Sequence, residues 1–167
     1  ELFEVLPSGI YVMTGDGTLL KLDASSSWSQ VISGSSNSWP ASTQVNDIHE
    51  QNGILYAATN DGLGRYDLSS NQPLSVWNSA NVLHSNEITQ IETAGNQLLF
   101  ASGDNGLARY NWNSGFWLAT WNDANWLPSN VVMGIKAFQD TLHIISDDQL
   151  LRYNLTTGVF GSTIALS

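Results

Sequence analysis

Asn60-Asp61-Gly62-Leu63-Gly64-Arg65-Tyr66-Asp67 and Asp104-Asn105-Gly106-Leu107-Ala108-Arg109-Tyr110-Asn111 are two copies of one pattern: a glycine-bearing turn, a basic residue, an aromatic and a side-chain acceptor. Asp147-Asp148-Gln149-Leu150-Leu151-Arg152-Tyr153-Asn154 is a third copy, and Asp16-Gly17-Thr18-Leu19-Leu20-Lys21-Leu22-Asp23 is a weaker first one. The basic residues Lys21, Arg65, Arg109 and Arg152 lie 44, 44 and 43 residues apart and supply four of the chain's 5 lysines and arginines. A period near 44 residues, built of short apolar runs and turns, signals a repeat architecture.

Each unit breaks into four short stretches separated by turn residues. In the second unit they are Val45 to Glu50, Gly53 to Thr59, Gly62 to Asp67 and Pro73 to Asn78. The third gives Glu87 to Thr93, Gln97 to Ser102, Gly106 to Trp112 and Phe116 to Trp121. The fourth gives Val131 to Ala137, Thr141 to Ser146, Gln149 to Asn154 and Val159 to Ala165. The degenerate first unit has Leu2 to Val5, Gly9 to Thr14, Thr18 to Asp23 and Trp28 to Ser33.

No window sustains a helical period, because every run ends at Gly, Pro, Asn or Asp. Hairpin turns are expected at Asp16-Gly17, Asp61-Gly62 and Asn105-Gly106, whose residues tolerate positive φ. A turn that is looser or of another type is expected at Asp148-Gln149. Four strands per unit of this length match a propeller blade, which must stack on its neighbours to bury its faces. The fold expected is all-β: β-propeller blades in a single segment 1–167, as four four-stranded antiparallel meanders over 1–44, 45–86, 87–130 and 131–167. Because the chain runs from a first strand to a fourth strand, with no offset to close a ring, an incomplete propeller is expected. It would be excised from a longer protein or completed by a symmetric partner.

Composition narrows the function. Fifteen acidic residues against 5 basic ones give a net charge of −10. This argues against nucleic acid and anionic membrane surfaces, which require clustered Lys and Arg. The chain has no cysteine, hence no disulfide and no thiolate metal site. No apolar run reaches the roughly 20 residues of a membrane helix. Low lysine with abundant Ser, Asn, Thr, Gly and Trp points to an extracellular or periplasmic location.

The units resemble the two-component-regulator propeller repeat, whose pattern runs from a Leu-Pro-Ser-Asn loop through a Val-x-x-Ile strand to Gly-Leu-x-Arg-Tyr-Asp. Leu127-Pro128-Ser129-Asn130-Val131-Val132-Met133-Gly134-Ile135 carries the match, and Leu83-His84-Ser85-Asn86-Glu87-Ile88-Thr89-Gln90-Ile91 departs from it at His84. Trp39-Pro40-Ala41-Ser42-Thr43-Gln44-Val45-Asn46-Asp47-Ile48 has an extra residue and no Ser-Asn pair. The resemblance implies blades of extracytoplasmic sensor domains or of secreted proteins.

Candidate sites follow from the repeat. Lys21, Arg65, Arg109 and Arg152 are read as structural inter-blade residues, paired with carboxylates such as Asp61, Asp67 and Asp104 or with backbone carbonyls, rather than as an anion ring. His49, His84 and His143 occupy unrelated repeat positions without metal-ligand spacing, and His143 is read as a core imidazole. No nucleophile elbow is present, so neither catalysis, a cofactor nor a metal is expected. Asn154-Leu155-Thr156 reads as a strand end rather than a glycan acceptor.

Of the seven tryptophans, Trp77 and Trp121 are repeat-equivalent and read as edge packing, whereas Trp39 and Trp126 fall in inter-blade loops. There the amides of Asn81, Asn125 and Asn130 would flank an aromatic platform. Trp39, His84, Trp126 and Asn130 are therefore the expected ligand-binding residues, for a glycan or peptide. The function expected is a non-enzymatic extracellular recognition or sensor module. The alternative is a structural building block that self-associates in a surface or filament assembly.

Overall fold

Short runs that end at turn residues pair locally, so strands pair with near neighbours in sequence. The computed structural model describes residues 2–14, 17–22, 25–32, 44–102 and 104–166. Every regular element among them is a β-strand. The strands divide between two units, Glu1–Glu87 and Ile88–Ser167.

The first unit holds two antiparallel meanders. One is β1 (Leu2–Leu6), β2 (Gly9–Met13), β3 (Leu19–Leu22) and β4 (Trp28–Ile32). The other is β5 (Val45–Gln51), β6 (Ile54–Thr59), β7 (Gly62–Asp67) and β8 (Gln72–Trp77). The second unit repeats the plan with β9 (Ile88–Ala94), β10 (Gln97–Ser102), β11 (Leu107–Asn111) and β12 (Phe116–Trp121). Its last sheet runs β13 (Val132–Phe138), β14 (Thr141–Ser146) and β15 (Gln149–Asn154). These are the propeller blades anticipated from the repeat.

The last strand departs from expectation. Val159 to Ala165 is broken into β16 (Val159–Phe160) and β17 (Ile164–Ala165), both paired with β15. Between them Gly161 N–H donates to the Arg152 carbonyl at 2.8 Å. The same bulge appears between Leu63 and Arg65 and between Leu107 and Arg109, where the fourth strand slips against the third. In the last blade the Gly161-Ser162-Thr163 stretch opens that bulge into a gap in the strand.

The turns also differ in detail. Thr59 pairs with Gly62, so the hairpin turn is Asn60-Asp61, one residue earlier than expected. The Thr59 hydroxyl accepts from Asp61 N–H at 3.1 Å and donates to the Gly62 carbonyl at 2.8 Å. Gly62 (φ +109°) opens the next strand, and its N–H donates to the Asn86 carbonyl at 2.7 Å. Gly106 (φ +80°) does the same to Asn130, also at 2.7 Å. A Cβ on either glycine would overlap a backbone carbonyl oxygen, that of Trp77 or of Trp121. These glycines are therefore required by close backbone approach as much as by φ. The last hairpin is tight rather than loose: Ser146 pairs with Gln149 across Asp147-Asp148, with Asp147 at φ +55°. In the first hairpin Gly17 N–H donates to Thr14 O at 3.0 Å, and Asp16 lies outside the described residues.

Each unit has its own core. In the first, Tyr11, Met13 and Leu19 of one sheet pack with Ile48, Leu55, Ala57 and Tyr66 of the next. In the second, Leu107 and Trp121 pack with Val132, Ile135, Leu142, Ile144 and Leu151. Strand alternation decides which residues take part. Leu142 and Ile144 are fully buried, which turns His143 to the opposite face of β14, where it is half-buried. Its register partners there are Lys136 and Arg152. The core imidazole expected at this position is thus corrected.

Polar ties join the sheets within each unit. In the first, Ser8 donates from N and Oγ to Glu50 Oε2, at 2.9 and 2.5 Å. In the second, Gln90 Oε1 accepts from Ile135 N–H at 2.8 Å, and Lys136 Nζ meets Glu92 Oε2 at 2.8 Å.

Candidate functional site

The segments Trp77–Glu87 and Trp121–Val131 leave the fourth strand of one sheet and share a hydrogen-bond scaffold. In the first copy the Asn78 carbonyl accepts from the N–H groups of Asn81, Val82 and Leu83. In the second the Asn122 carbonyl accepts from Asn125, Trp126 and Leu127. Asn81 Oδ1 accepts from Asn78 N–H at 3.0 Å, and its Nδ2 donates to Val76 O at 2.9 Å. Asn125 repeats both bonds with Asn122 and Thr120, at the same distances. Asn86 Oδ1 accepts from Ser79 N–H at 2.8 Å, and Asn130 Oδ1 from Asp123 N–H at 3.1 Å.

These contacts revise the expected role of the amides. Asn81 and Asn125 spend both ends of their side chains on their own loop, and Asn130 closes its loop through Oδ1. In turns of this kind asparagine side chains take up the loop's own backbone groups, and here they do so.

Four positions separate the copies: Ser79 and Glu87 give way to Asp123 and Val131, and the other two lie at the tip. Val82 stands where the second copy has Trp126, and His84 stands where it has Pro128. His84 is exposed and belongs to the first unit; Trp126 and Asn130 belong to the second. Trp39 lies outside the described residues.

Trp126 is 58% exposed. Its ring lies nearly parallel to Phe160, with centroids 5.5 Å apart and planes inclined by 16°. Phe160 in turn meets Trp121 edge-on at 5.0 Å and Tyr153 at 4.9 Å. Trp121 and Tyr153 are 4.6 Å apart. Together with Arg109, Gly158 and Val159 these rings bound a cavity of about 420 Å³. That volume falls in the range of small-molecule sites. Trp121 is only 4% exposed, so it forms the floor, and Trp126 forms the accessible wall.

Arg109 is part-buried and sits over this floor. Its guanidinium carbon sits 4.2 Å from the Trp121 ring centroid, and Nε donates to the Ala119 carbonyl at 3.1 Å. Burial pushes its pKa below the ordinary arginine value, and the Tyr153 hydroxyl partly offsets this.

The first unit contains the same stack, with Arg65 at 3.9 Å from the ring of Trp77. Lys21 Nζ lies 5.5 Å from the Tyr11 ring. Arg152 is exposed, and its Nη2 reaches Ser162 Oγ at 3.4 Å. The register explains the split. Trp77 and Trp121 pair with Leu63 and Leu107, two positions before their arginines. In the last sheet the corresponding partner of Leu150 is Ile164, so Arg152 has no indole to lie on.

Arg65 and Arg109 thus add cation–π stacking to the partners expected of them, and Arg109 takes a backbone carbonyl as anticipated. Asp67, one of the carboxylates expected near them, is held at a pKa of about 2 instead by the Ser69 hydroxyl and the N–H groups of Ser69 and Ser70. Asn111 and Asn154 occupy the same turn position and accept in the same way, Asn154 from Thr156 and Thr157 N–H. The twelve-residue spacing from Arg65 to Trp77 and from Arg109 to Trp121 was the sequence signal for the stack. No cluster of three or more potential metal ligands occurs among the described residues, and no helix there is long and apolar enough to cross a membrane.

No family model and no curated protein sequence matches the chain. Solved structures do. An extracellular domain assigned to a hybrid two-component system of B. thetaiotaomicron superposes with a TM-score of 0.72 at 18% identity, over 97% of this chain and 24% of that one. An extracellular domain assigned to a one-component system of the same organism gives 0.73 at 18% identity, over 96% and 21%. PorZ, a surface component of the type IX secretion system of Porphyromonas gingivalis, gives 0.67 at 14% identity, over 91% and 20%. At such identities the likeness is one of fold. The chain spans about a quarter of the length of these neighbours.

Proposed function

We propose that the protein is a non-enzymatic recognition module of propeller blades that works outside the cytoplasm and takes a glycan or peptide in the cavity walled by Trp126. One observation carries the reading. An indole 58% exposed stacks on Phe160 at the mouth of a cavity floored by Trp121. Keeping a large aromatic ring in water forgoes roughly 2 kcal/mol of burial, which a ligand's apolar face recovers on binding. The lining is aromatic, with one guanidinium and one phenol, a set suited to holding a ligand. The extracellular domains that share the fold support the location, and the two-component-regulator repeat resemblance supports a sensing role.

Intrinsic fluorescence titrations with oligosaccharides and short polar peptides test the reading. Saturable quenching or a blue shift is expected in the parent and at least a tenfold weaker response in Trp126→Ala. Identical responses in both proteins would remove the cavity from consideration.

A second reading, a self-associating building block, is favoured by the first sheet. Phe3 and Val5 are 62% and 69% exposed and share a face with Val12, Leu20, Ile10 and Leu22 in the cross-strand register. An open apolar sheet face of this kind suits a protein contact. Molar mass by light scattering separates the two readings: ligand-independent multimers, abolished by Val5→Lys, favour assembly.

A further inference from the structure

We infer that the ligand is an acidic glycan, a chain of uronic acid sugars whose carboxylate is taken by Arg109 while a pyranose face lies on Trp126. The inference rests on the cavity being the recognition site. Its own ground is the chemistry of Arg109.

In a chain of net charge −10, the cavity wall carries one ionised group among the described residues, and that group is positive. Among the described residues glycine, valine and aromatic rings make up the rest of the lining, so no carboxylate among them answers the guanidinium. Nε is used by Ala119 O, and the guanidinium carbon sits over the Trp121 ring. The two terminal amino groups remain, and a guanidinium takes a carboxylate through such a pair in two parallel bonds. Burial already works against the charge, and an anion brought in by the ligand would compensate it where water cannot fully do so.

The sugar half of the inference comes from the wall. Trp126 has one side covered by Phe160 and is otherwise open. A pyranose presents a flat patch of C–H bonds to such a ring while its hydroxyls stay in solvent. Arg65 on Trp77 serves as an internal control: the stack is the same, but the loop tip beside it carries Val82 instead of a tryptophan. The stack belongs to the blade, and the platform belongs to one copy of the loop.

Calorimetry with galacturonate and mannuronate tetramers, and with their neutral methyl esters, tests the inference on the intact chain. At least one acid form is expected to bind tenfold or more tightly than its ester, with the difference shrinking as salt is raised. Arg109→Gln should erase the preference for the acid, and Trp126→Ala should weaken both forms. Should Arg109→Gln fail to fold, the comparison of acid and ester on the parent decides alone. Equal binding of acid and ester, or binding confined to neutral xylo- or cello-oligosaccharides and lost in Trp126→Ala, overturns the acidic ligand but keeps the recognition site. Absence of binding by every saccharide and by acidic peptides overturns both. Binding of acidic peptides alone overturns the glycan and retains the cavity.

Discussion

The loop that leaves Trp77 and the loop that leaves Trp121 are hydrogen-bonded alike and yet differ at the tip. Each is closed by one asparagine carbonyl accepting three N–H groups, by an asparagine side chain that bonds back to the strand, and by a glycine N–H from the hairpin below. What differs is Val82 against Trp126 and His84 against Pro128 at the tip, with Ser79 against Asp123 and Glu87 against Val131 on either side. The comparison separates architecture from recognition. Features that both copies share are what the blade needs to fold, and the feature that only one copy carries is where a specific function can reside.

The largest effect is expected where the shared scaffold is broken. Gly62→Ala and Gly106→Ala each force a Cβ onto a carbonyl oxygen at positive φ. Each should lower stability by roughly 3 kcal/mol. Thermal or denaturant unfolding should give similar losses for the two, and a silent Gly62→Ala would end the equivalence of the loops.

The two stacks should respond unequally. Trp121 is buried against Tyr153 and Phe160 as well as under Arg109. Trp121→Ile, which recreates the Ile164 situation, should cost about 3 kcal/mol. Trp77, half-buried and in contact with Tyr56 and Arg65, should cost about 1 kcal/mol when changed to Ile. A reversed order in the melting curves would contradict the burial difference.

Exchanging the tips should leave folding nearly untouched. Trp126→Val is expected to change stability by less than about 1 kcal/mol, because the ring is mostly in solvent, and to weaken ligand binding about tenfold or more. The smallest effect concerns the turn acceptor Asp67. Its pKa is lowered to about 2 in the folded state, so its contribution is complete above the unfolded value near 3.8 and is lost as pH falls toward 2. Asp67→Asn, which copies Asn111 and Asn154, should keep the turn and remove that part of the acid sensitivity. A parent and variant with the same acid-unfolding profile would show that the serine bonds do not matter.

Much of the fold was legible because a repeat exposes equivalent positions directly. Lys21, Arg65, Arg109 and Arg152 mark the third strand of every sheet, and the turn residues between runs mark the hairpins. Register was less legible. The break at Gly161 and the shift of the turn to Asn60-Asp61 depend on where backbone groups find partners in the next loop. The site was half legible. Trp126 stood out as a loop aromatic, but its neighbour Phe160 comes from the following sheet, and sequence spacing says nothing of such contacts. The amides misled for a physical reason: asparagines in a loop serve the backbone of that loop before they serve a ligand.

The indole N–H region of a ¹H–¹⁵N spectrum offers the most direct test, since the seven tryptophans give seven candidate signals. On titration with the ligand that calorimetry identifies, the resonances of Trp126 and Trp121 should shift together and saturate, while that of Trp77 stays in place. Shifts centred on Trp77, or spread equally over both copies of the loop, would contradict a recognition site confined to the loop that carries Trp126.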